Sequence, residues 1–357
     1  DLDIPSEKVI DFYDFRALSD ITWNNTWNFE FSNEPGKKLT KQLNQVSSEL
    51  ALMTIVTPYY NAGKFFEQTF CSVMNQTFPW FEWIIIDDGS TNQDDVQCLH
   101  RFARMDQRIR VITTQNKGVS HARNAGFYNA KTDIVIPLDA DDLLSPQYLE
   151  YMYFGLYYNK DASWCYSGGV GFYEMQYLWR KPWNAEEMKT YNSLMVTAAI
   201  RKKDWEEVGG YKTEKVSYNE DWRFWLDLLA VHKKPVSVGG YHFWYRRMAA
   251  GRLNKLKQDT ERVYFDREII KKAAEKADGT VKAVEYPVSF SGNIYHKQES
   301  VVWDHCRTID KKEHVIRLLM IIPWMVMGGA DQFNLDLASG LDRTKYEVSI
   351  ITTIPGS

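Results

Sequence analysis

Three carboxylates stand within four residues at Asp139, Asp141 and Asp142, directly after the short apolar run 134–138. The length and β-branched content of that run predict a buried strand. Like charges this close repel one another, so stability alone does not explain them. A divalent cation would remove the conflict, because Mg²⁺ and Mn²⁺ prefer oxygen ligands and Mg²⁺ commonly joins one or two carboxylates to substrate phosphates. We therefore predict that Asp139 and Asp141 hold Mn²⁺ or Mg²⁺ that bridges to a diphosphate.

The same residues allow a simpler interpretation. Acidic residues are favoured at helix N-termini, and Asp142 could cap a helix that begins near Ser145 and Pro146. An Asp-x-Asp pair on its own is a weak signal, and turn and cap statistics give this alternative similar weight. The sequence around the pair is needed to choose between a metal site and a helix cap.

The elements that precede the acidic cluster alternate between strand and helix. We predict strands at 52–56, 83–86, 109–113 and 134–138, separated by helices at 64–76, 95–105 and 121–130. This alternation is typical of an α/β fold with a mainly parallel central sheet, in which ligands bind beyond the carboxyl ends of the strands. Each predicted strand leads into a polar loop, so these loops should meet at one edge of the sheet.

Four polar motifs follow one another along these loops. They are Pro58-Tyr59-Tyr60-Asn61, then Asp87-Asp88-Gly89-Ser90, then Asn116-Lys117-Gly118 with Ala122-Arg123-Asn124, and then Asp139-Ala140-Asp141-Asp142. In this order and spacing they resemble the family 2 glycosyltransferases, Rossmann-like enzymes of the GT-A fold that use nucleotide-sugar donors. The resemblance covers about residues 51–250.

The resemblance implies a donor site and a metal site. The implied donor residues are Thr57, Pro58 and Tyr59 around the nucleobase, Asp88 on a base taken to be uracil, Asn116, Gly118 and Arg123 near the ribose and phosphates, and also Asp139 and Arg246. Asp139 and Asp141 match the metal-binding pair of the family. Structural interpretations stay open for single residues: Tyr59 as a core side chain, Asp87 as a turn cap, and Arg123 as half of an ion pair.

A second acidic pair, Glu220 and Asp221, opens a predicted helix shortly after the turn Gly209-Gly210. Acids at a helix start are usually explained by the helix dipole. In the family, a Gly-Gly turn followed by such a pair is the general-base motif, and Asp221 matches its Asp. An acceptor hydroxyl must lose its proton as the new bond forms. The resemblance therefore implies Asp221 as the base of an inverting transfer, with Glu220 as the nearest competitor.

Two departures from the family pattern are visible. Many relatives carry a His two residues after the Arg that Arg246 matches, whereas this chain has Met248. A third protein ligand for the metal is therefore in doubt, and water, phosphate or a flanking Arg would have to fill its place. The Gln-x-x-Arg-Trp motif of processive relatives is absent from the sequence, which favours a non-processive enzyme.

The segments outside 51–250 give less information. We predict an N-terminal extension at 1–50, a helical linker at 251–315, and a β-α-β unit at 316–357 whose Gly turn, 327–331, could cradle phosphates. That unit is similar to the start of a family 4-type GT-B glycosyltransferase, but it is too short to complete one. Because the chain begins with Asp1 rather than Met, we expect it to come from a longer protein.

The composition limits the partners and the compartment. A net charge of −4 argues against nucleic acid, and four widely spaced cysteines indicate free thiols in a reducing compartment. We expect a cytoplasmic enzyme, with peripheral contact to the inner face of a membrane, that moves a sugar from a UDP-sugar to a saccharide or lipid-linked saccharide in bacterial-type polysaccharide or glycoconjugate synthesis. The alternatives are a non-catalytic nucleotide-sugar binding module and a sugar-1-phosphate nucleotidyltransferase. The nucleotidyltransferase would need a Gly-rich, basic loop early in the chain, where 57–63 is not one.

Overall fold

The structure is a computed structural model that describes residues 29–41, 43, 47–213, 219–248, 259–286, 315–322, 329–342 and 344–352. The chain divides into two compact units. One comprises Tyr13–Gly292, and the other comprises Asp1–Phe12 together with Asn293–Ser357. The candidate site lies in the first unit.

Strands and helices alternate through the first half of this unit. The strands, in chain order, are β1 (Met53–Tyr59), β2 (Phe81–Asp87), β3 (Ile109–Thr113), β4 (Ile134–Pro137), β5 (Leu143–Leu144), β6 (Trp164–Tyr173), β7 (Tyr177–Trp179), β8 (Ala199–Arg201), β9 (Pro235–Arg247) and β10 (Val284–Tyr286). The α-helices are α1 (Gly63–Met74), α2 (Gln93–Ala103), α3 (Val119–Asn129), α4 (Tyr148–Tyr158), α5 (Lys202–Glu207), α6 (Glu220–Ala230) and α7 (Thr260–Ala274). Short 3₁₀ helices occupy Ser48–Leu50 and Glu187–Lys189.

These strands form one sheet in the order β10-β9-β6-β8-β4-β1-β2-β3. Strands β4, β1, β2 and β3 pair in parallel, and β8 is antiparallel to both β4 and β6. The short β5 and β7 pair with β9 and β6 at the side of this path. The predicted α/β fold with a mainly parallel sheet is confirmed.

The sheet is covered on both faces, which explains why its central strands are apolar throughout. Alternate residues of β1 and β2 point to opposite sides: Ile55 and Trp83 join one core cluster, and Val56 and Ile84 join the other. Helices α1, α2 and α4 contribute to the first cluster, and α3, α6 and α7 contribute to the second. Because helices occupy both faces, the carboxyl edge of the parallel strands is left to the polar loops.

Several elements differ from the sequence prediction. The apolar run 194–200 has the composition of a strand, but only its end pairs, in β8, and the apolar residues before it are buried without pairing. Strand β6 continues through Gly168 and Gly169 with an irregular register against β9. Helix α7 and strand β10, which we had assigned to a linker, belong to the first unit, where α7 contributes to a core cluster and β10 extends the sheet.

The helix-cap interpretation of Asp142 is wrong. Helix α4 begins at Tyr148, and its N-cap is Gln147, which makes no side-chain cap hydrogen bond. The Asp142 side chain is fully buried and accepts a hydrogen bond from the backbone N–H of Arg246 instead (2.8 Å). Its carboxylate ties β9 to the loop that carries the acidic cluster.

The second unit contains the predicted β-α-β arrangement. Strands β11 (Ile316–Ile322) and β12 (Tyr346–Thr352) pair in parallel, and α8 (Gly329–Gly340) lies between them in the chain. The loop before α8, 323–328, lies outside the described residues and includes the first two residues of the predicted Gly turn 327–331. Residues 1–28 of the predicted N-terminal extension also lie outside them. Within the described part of the chain, no helix combines the length and apolar character that crossing a membrane requires.

Candidate active site

A cleft of about 1440 Å³ opens at the carboxyl edge of the parallel strands. It is lined by residues that follow β1, β2, β3 and β4, by the start of α6 and by the end of β9. Of the predicted site residues, it brings together Pro58, Tyr59, Asp88, Asn116, Gly118, Arg123, Asp139, Asp141, Glu220, Asp221 and Arg246. Residues from distant parts of the sequence therefore meet in one place.

The register of the parallel strands explains why their carboxyl ends lie at the same level. Tyr59 and Asp87 are paired residues at the ends of β1 and β2, and the backbone N–H of Asp88 donates to the carbonyl of Tyr59 (2.8 Å). On the other side of β1, the N–H of Leu138 donates to the carbonyl of Val56 (2.9 Å). The loops after these strands consequently start at nearly the same level.

The three residues predicted around the nucleobase are placed differently. Pro58 and Tyr59 line the cleft, whereas Thr57 does not. Thr57 is fully buried, and its hydroxyl accepts a hydrogen bond from the indole N–H of Trp83 (2.9 Å). The Tyr59 ring is also buried, and its hydroxyl donates to the carbonyl of Asp95 (2.7 Å). Thr57 therefore lies behind the cleft wall.

Asp88 organises the loop after β3. One carboxylate oxygen accepts the backbone N–H of Lys117 (3.0 Å), and the other accepts that of Gly118 (2.8 Å). Gly118 has a φ of +94°, which favours glycine, and it precedes α3. The oxygen that accepts from Lys117 also accepts from the Thr114 hydroxyl (3.4 Å), whereas the other oxygen keeps a lone pair with which it can accept a hydrogen bond from a ligand. Its neighbour Asp87 accepts the N–H of Ser90 (2.9 Å), as a turn cap does.

The predicted metal pair lies at the centre of the cleft. Burial, followed by the negative charge of Asp139, raises the pKa of Asp141 to about 6, while Arg246 opposes this shift. Asp142, behind them, has a pKa raised well above its usual range by burial and by both neighbouring carboxylates. One of its oxygens has no hydrogen-bond partner within the described structure. Burial and mutual repulsion therefore make the charged forms of Asp141 and Asp142 unfavourable when no cation is bound.

A divalent cation fits this arrangement. Asp139 and Asp141 both present carboxylates to the cleft, and their mutual repulsion is what a bound cation would relieve. Among the described residues, no group of three or more His, Cys, Asp or Glu side chains is arranged to hold a metal. Two carboxylates with water or phosphate oxygens are sufficient for Mg²⁺. Met248, which lines the same cleft, supplies no oxygen ligand.

Arg123 connects the two acidic groups of the cleft. One of its terminal nitrogens donates to Asp139 (2.8 Å), and the other donates to Glu220 (2.9 Å). Its side chain is only 3% exposed. Burial alone would lower the pKa of Arg123, but the charges of Asp139 and Glu220 outweigh that effect and raise it. Arg123 therefore forms a buried ion pair with two protein carboxylates, while its Nε has no hydrogen-bond partner among the described residues.

Arg246 is held in place by its surroundings. Its Nε donates to the carbonyl of Asp141 (2.7 Å), and a terminal nitrogen donates to Gln68 (2.6 Å). The guanidinium lies 4.3 Å from the ring centre of Phe65 and 4.5 Å from that of Phe172. These contacts fix a positive charge beside the acidic cluster.

Asp221 lies in the first turn of α6, next to Glu220, which accepts the hydrogen bond from Arg123. One oxygen accepts the backbone N–H of Trp222 (2.8 Å), and the other accepts the amide of Asn192 (3.2 Å). Burial, and then the charge of Glu220, raises the pKa of Asp221 to about 6. A carboxylate with this pKa is ionised near neutral pH and is more basic than an ordinary Asp, as suits a proton acceptor.

Asn124 of α3 positions the residue that follows the turn Gly209-Gly210. The side chain of Asn124 accepts the N–H of Tyr211 (2.9 Å) and donates to its carbonyl (2.7 Å). The Tyr211 ring in turn lies 5.7 Å from the guanidinium of Arg123. The motif that contains Arg123 and Asn124 therefore fixes both the turn and the Arg that meets Glu220.

The far wall of the cleft comes from the segment 177–192, which includes β7. Tyr177, Trp179, Tyr191 and Asn192 line the cleft there. The Trp179 and Tyr191 ring centres are 5.6 Å apart. Sequence reasoning missed the bond from Asn192 to Asp221. An Asn in an irregular, aromatic-rich segment gives no periodic signal, so only the tertiary structure reveals it.

Comparisons with known proteins agree with this geometry. Residues 54–213 match the sequence profile of Glycosyl transferase family 2. The chain contains a glycosyltransferase family 2 domain. This domain includes β1, β2, β3 and β4, and it extends to the turn after α5.

Curated relatives of the family 2 domain include several bacterial glycosyltransferases. Glycosyltransferase GlyG of Streptococcus pneumoniae is 33% identical over 124 residues, which are 31% of this chain and 41% of GlyG. The putative teichuronic acid biosynthesis glycosyltransferase TuaG of Bacillus subtilis is 37% identical over 100 residues, covering 28% of this chain and 39% of TuaG. The chain thus spans about two fifths of the length of these two relatives.

A solved structure shares the fold. TarS 1–349 of S. aureus in complex with UDP-GlcNAc superposes with a TM-score of 0.53 at 17% identity, covering 63% of this chain and 67% of that one. At this identity the likeness shows the fold, which is the GT-A arrangement. The predicted GT-B resemblance of residues 316–357 has no counterpart in these comparisons and stays a prediction.

Proposed function

We propose that this chain is an inverting, metal-dependent glycosyltransferase that moves a sugar from a UDP-sugar to a hydroxyl group of a saccharide or lipid-linked saccharide. The observation that carries the proposal is that one cleft holds both Asp141 and Asp221, each with a pKa raised to about 6. The first belongs to an acidic pair suited to a cation and a diphosphate. The second is a separate carboxylate suited to take a proton.

The donor is proposed to lie along the strand ends. Pro58 and Tyr59 form the wall for the nucleobase, and the Asp88 oxygen that keeps a free lone pair accepts from the uracil N–H. Asn116 and Gly118 lie beside the ribose, and Arg246 compensates charge near the diphosphate. TarS, whose structure contains UDP-GlcNAc, supports a uridine nucleotide as the donor class.

Asp139 and Asp141 would hold Mn²⁺ or Mg²⁺. When bound, such a cation neutralises charge on the diphosphate and makes it a better leaving group. Arg123 would keep Asp139 oriented while it bonds Glu220, so that the metal side and the base side of the cleft are held in a fixed relation.

Asp221 is proposed as the general base. The acceptor oxygen attacks the anomeric carbon of the donor sugar, and the bond from that carbon to the phosphate oxygen breaks, with its electron pair leaving on UDP. The acceptor proton passes to the Asp221 carboxylate. Attack from the face opposite the diphosphate inverts the anomeric centre. The wall of Trp179 and Tyr191, joined to Asp221 through Asn192, is suited to a saccharide acceptor because flat rings can stack on sugar faces.

The relatives favour a role in bacterial polysaccharide or glycoconjugate synthesis, since TuaG is named for teichuronic acid biosynthesis. We propose a cytoplasmic location, with peripheral contact to the inner face of the membrane when the acceptor is lipid-linked. Three cysteines of the described chain are free thiols, as a reducing compartment would require.

A panel of nucleotide-sugars tests the proposal. We expect UDP-sugars, in the presence of Mn²⁺, to raise the unfolding temperature and to release UDP slowly, with water as the acceptor. A panel in which every donor binds but none is hydrolysed or transferred would favour the non-catalytic binding module. Formation of nucleotide-sugar from a sugar phosphate and a nucleoside triphosphate would favour the nucleotidyltransferase.

A further inference from the structure

Four cationic side chains line the cleft: Lys64, Arg123, Arg246 and Arg247. A diphosphate is usually bound by charge-assisted hydrogen bonds from Arg or Lys, and the planar guanidinium of Arg matches phosphate oxygens in two places. The donor site should therefore contain at least one cation whose hydrogen-bonding groups are not already used by the protein.

Two of the four cations are already engaged. Arg123 has both terminal nitrogens on carboxylates. Arg246 gives Nε to the Asp141 carbonyl and a terminal nitrogen to Gln68, and aromatic rings enclose it. Lys64 is exposed at the start of α1, with its ammonium 4.8 Å from the ring centre of Phe65. These contacts fix the orientation of both guanidinium groups, although each keeps further N–H groups for a ligand.

Arg247 differs from the other two arginines of the cleft in its contacts with the protein. It is the last residue of β9, and strand alternation directs it away from the face that Arg246 takes. Its guanidinium lies 5.2 Å from the ring centre of Tyr245 and makes a side-chain hydrogen bond with the Tyr245 hydroxyl. The Nε atom is buried and has no hydrogen-bond partner among the described residues. None of the ion pairs formed within the described part of the chain includes Arg247.

A buried donor without a partner is rare in folded proteins and usually has a functional explanation. Here the side chain is half-buried at the edge of the cleft, on a strand end that is fixed by the bond from the N–H of Glu174 to the Arg247 carbonyl (3.1 Å). Tyr245 and Tyr177, which flank it, also line the cleft. The cleft is therefore lined by a guanidinium that makes no ion pair within the described part of the chain.

We infer that Arg247 is a phosphate-binding residue of this cleft and donates to the diphosphate of the donor. This inference rests on the proposed function, because the donor class comes from there. An acceptor that carries a phosphate would offer the same chemistry from the other side of the cleft, so the experiment has to separate these two sources.

Isothermal titration calorimetry in the presence of Mn²⁺ provides the first test. UDP and uridine are titrated into the wild type, Arg247→Gln, Arg247→Lys and, as a matched control, Lys181→Gln, whose cation pairs with Glu187 and does not line the cleft. We expect Arg247→Gln to weaken UDP binding about 10–100-fold, the effect of one charged hydrogen bond. Uridine binding should be unchanged, Arg247→Lys should lose less, and Lys181→Gln should match the wild type.

A second titration identifies the source of the phosphate. Glycerol 1-phosphate is added to enzyme that is saturated with UDP. If Arg247→Gln keeps its UDP affinity but loses binding of glycerol 1-phosphate, Arg247 still binds phosphate, and the phosphate belongs to the acceptor. If Arg247→Gln matches the wild type with both ligands, while its unfolding temperature shows a folded protein, the inference is overturned. A wild type that binds neither UDP nor GDP would instead overturn the proposed function and this inference together.

Discussion

Arg123 and Glu220 lie 97 residues apart in the chain, yet their side chains are joined by a 2.9 Å hydrogen bond at the centre of the cleft. The same guanidinium holds Asp139 at 2.8 Å. One buried cation thus joins the carboxylate proposed to bind metal to the acidic pair that contains the proposed base. The relation between the two halves of the site depends on this residue.

Replacing Arg123 should therefore destabilise the fold. In Arg123→Gln, two partly buried carboxylates lose their cation, and removal of one partner of a buried ion pair typically costs about 3–5 kcal/mol. Urea unfolding measures the loss. The control is Lys181→Gln, because its ion pair with Glu187 (3.2 Å) joins side chains that are 37% and 41% exposed, and an exposed pair of this kind contributes about 1 kcal/mol or less. Equal losses in both variants would contradict the structural importance of Arg123.

Metal-dependent nucleotide binding should require Asp141 and tolerate loss of the charge on Asp142. Asp141 lines the cleft, whereas Asp142 is buried behind it and accepts the backbone N–H of Arg246. We expect Asp141→Asn to lower UDP affinity in Mn²⁺ by at least about tenfold, since even residues behind a metal ligand have effects of that size.

Asp142→Asn can still accept from Arg246 through its amide oxygen, so its UDP affinity should stay within a few-fold of the wild type. Calorimetry with and without Mn²⁺ makes the comparison. UDP binding that does not depend on Mn²⁺ in the wild type, or an Asp141→Asn variant with normal affinity, would contradict the proposed metal site.

The two residues that begin α6 should differ in their effect on turnover. A positioned base contributes about 10²–10⁴-fold to rate, so Asp221→Asn should lose turnover by that amount and keep its UDP affinity, because the proposed donor contacts lie elsewhere. Glu220→Gln should mainly weaken the ion pair with Arg123 and reduce stability. Initial rates of UDP release and a UDP titration are measured on both variants. A collapse of turnover in Glu220→Gln alone would move the base to Glu220.

The rate should also depend on pH through Asp221. A base must be deprotonated, and the pKa of Asp221 is raised to about 6; turnover should therefore rise about tenfold per pH unit below that value and level off above it. Arg123 and the amide of Asn192 favour the charged form, while Glu220 opposes it. Loss of the Asn192 amide should raise the pKa of Asp221 further.

Asn192→Ala tests this contact. Its profile of turnover against pH should move to higher pH, with UDP affinity unchanged. The matched control is Asn184→Ala, because Asn184 accepts the backbone N–H of Glu187 in the same segment but does not line the cleft. A profile for Asn192→Ala that coincides with the wild type would show that the hydrogen bond to Asp221 has no effect on the base.

The sequence predicted the strands best where a short apolar run forms a buried strand. Strand β3 was predicted with its observed bounds, and β1, β2 and β4 were predicted to within a few residues, because short apolar runs between polar loops have few other solutions in an α/β fold. The apolar run 194–200 has the composition of one strand, but only its end pairs, in β8, because a buried irregular segment and a buried strand look alike in composition. Strand β9 passes through Gly240 at a φ of +78°, although a glycine inside a strand pattern often marks an irregularity.

The sequence predicted which motifs form the site, but it did not predict how their side chains contact one another. Residue types at the strand ends indicated which side chains would meet, and eleven predicted residues do line one cleft. The sequence could not predict that Thr57 would accept a hydrogen bond from Trp83 or that Asp142 would accept the backbone N–H of Arg246 in β9. Nor could it predict that Arg123 would join Asp139 to Glu220. Each of these contacts depends on the packing of distant elements and leaves no periodic trace in the chain.

The stereochemistry of donor hydrolysis tests the central claim most directly. The wild type is incubated with Mn²⁺ and UDP-GlcNAc, or with whichever α-linked UDP-sugar the donor panel selects, and the anomeric proton of the first sugar released is followed by NMR before mutarotation. The account predicts that the β anomer appears first, and that Asp221→Asn releases it about 10²–10⁴-fold more slowly. An α anomer as the first product, or equal rates in the two enzymes, would contradict it.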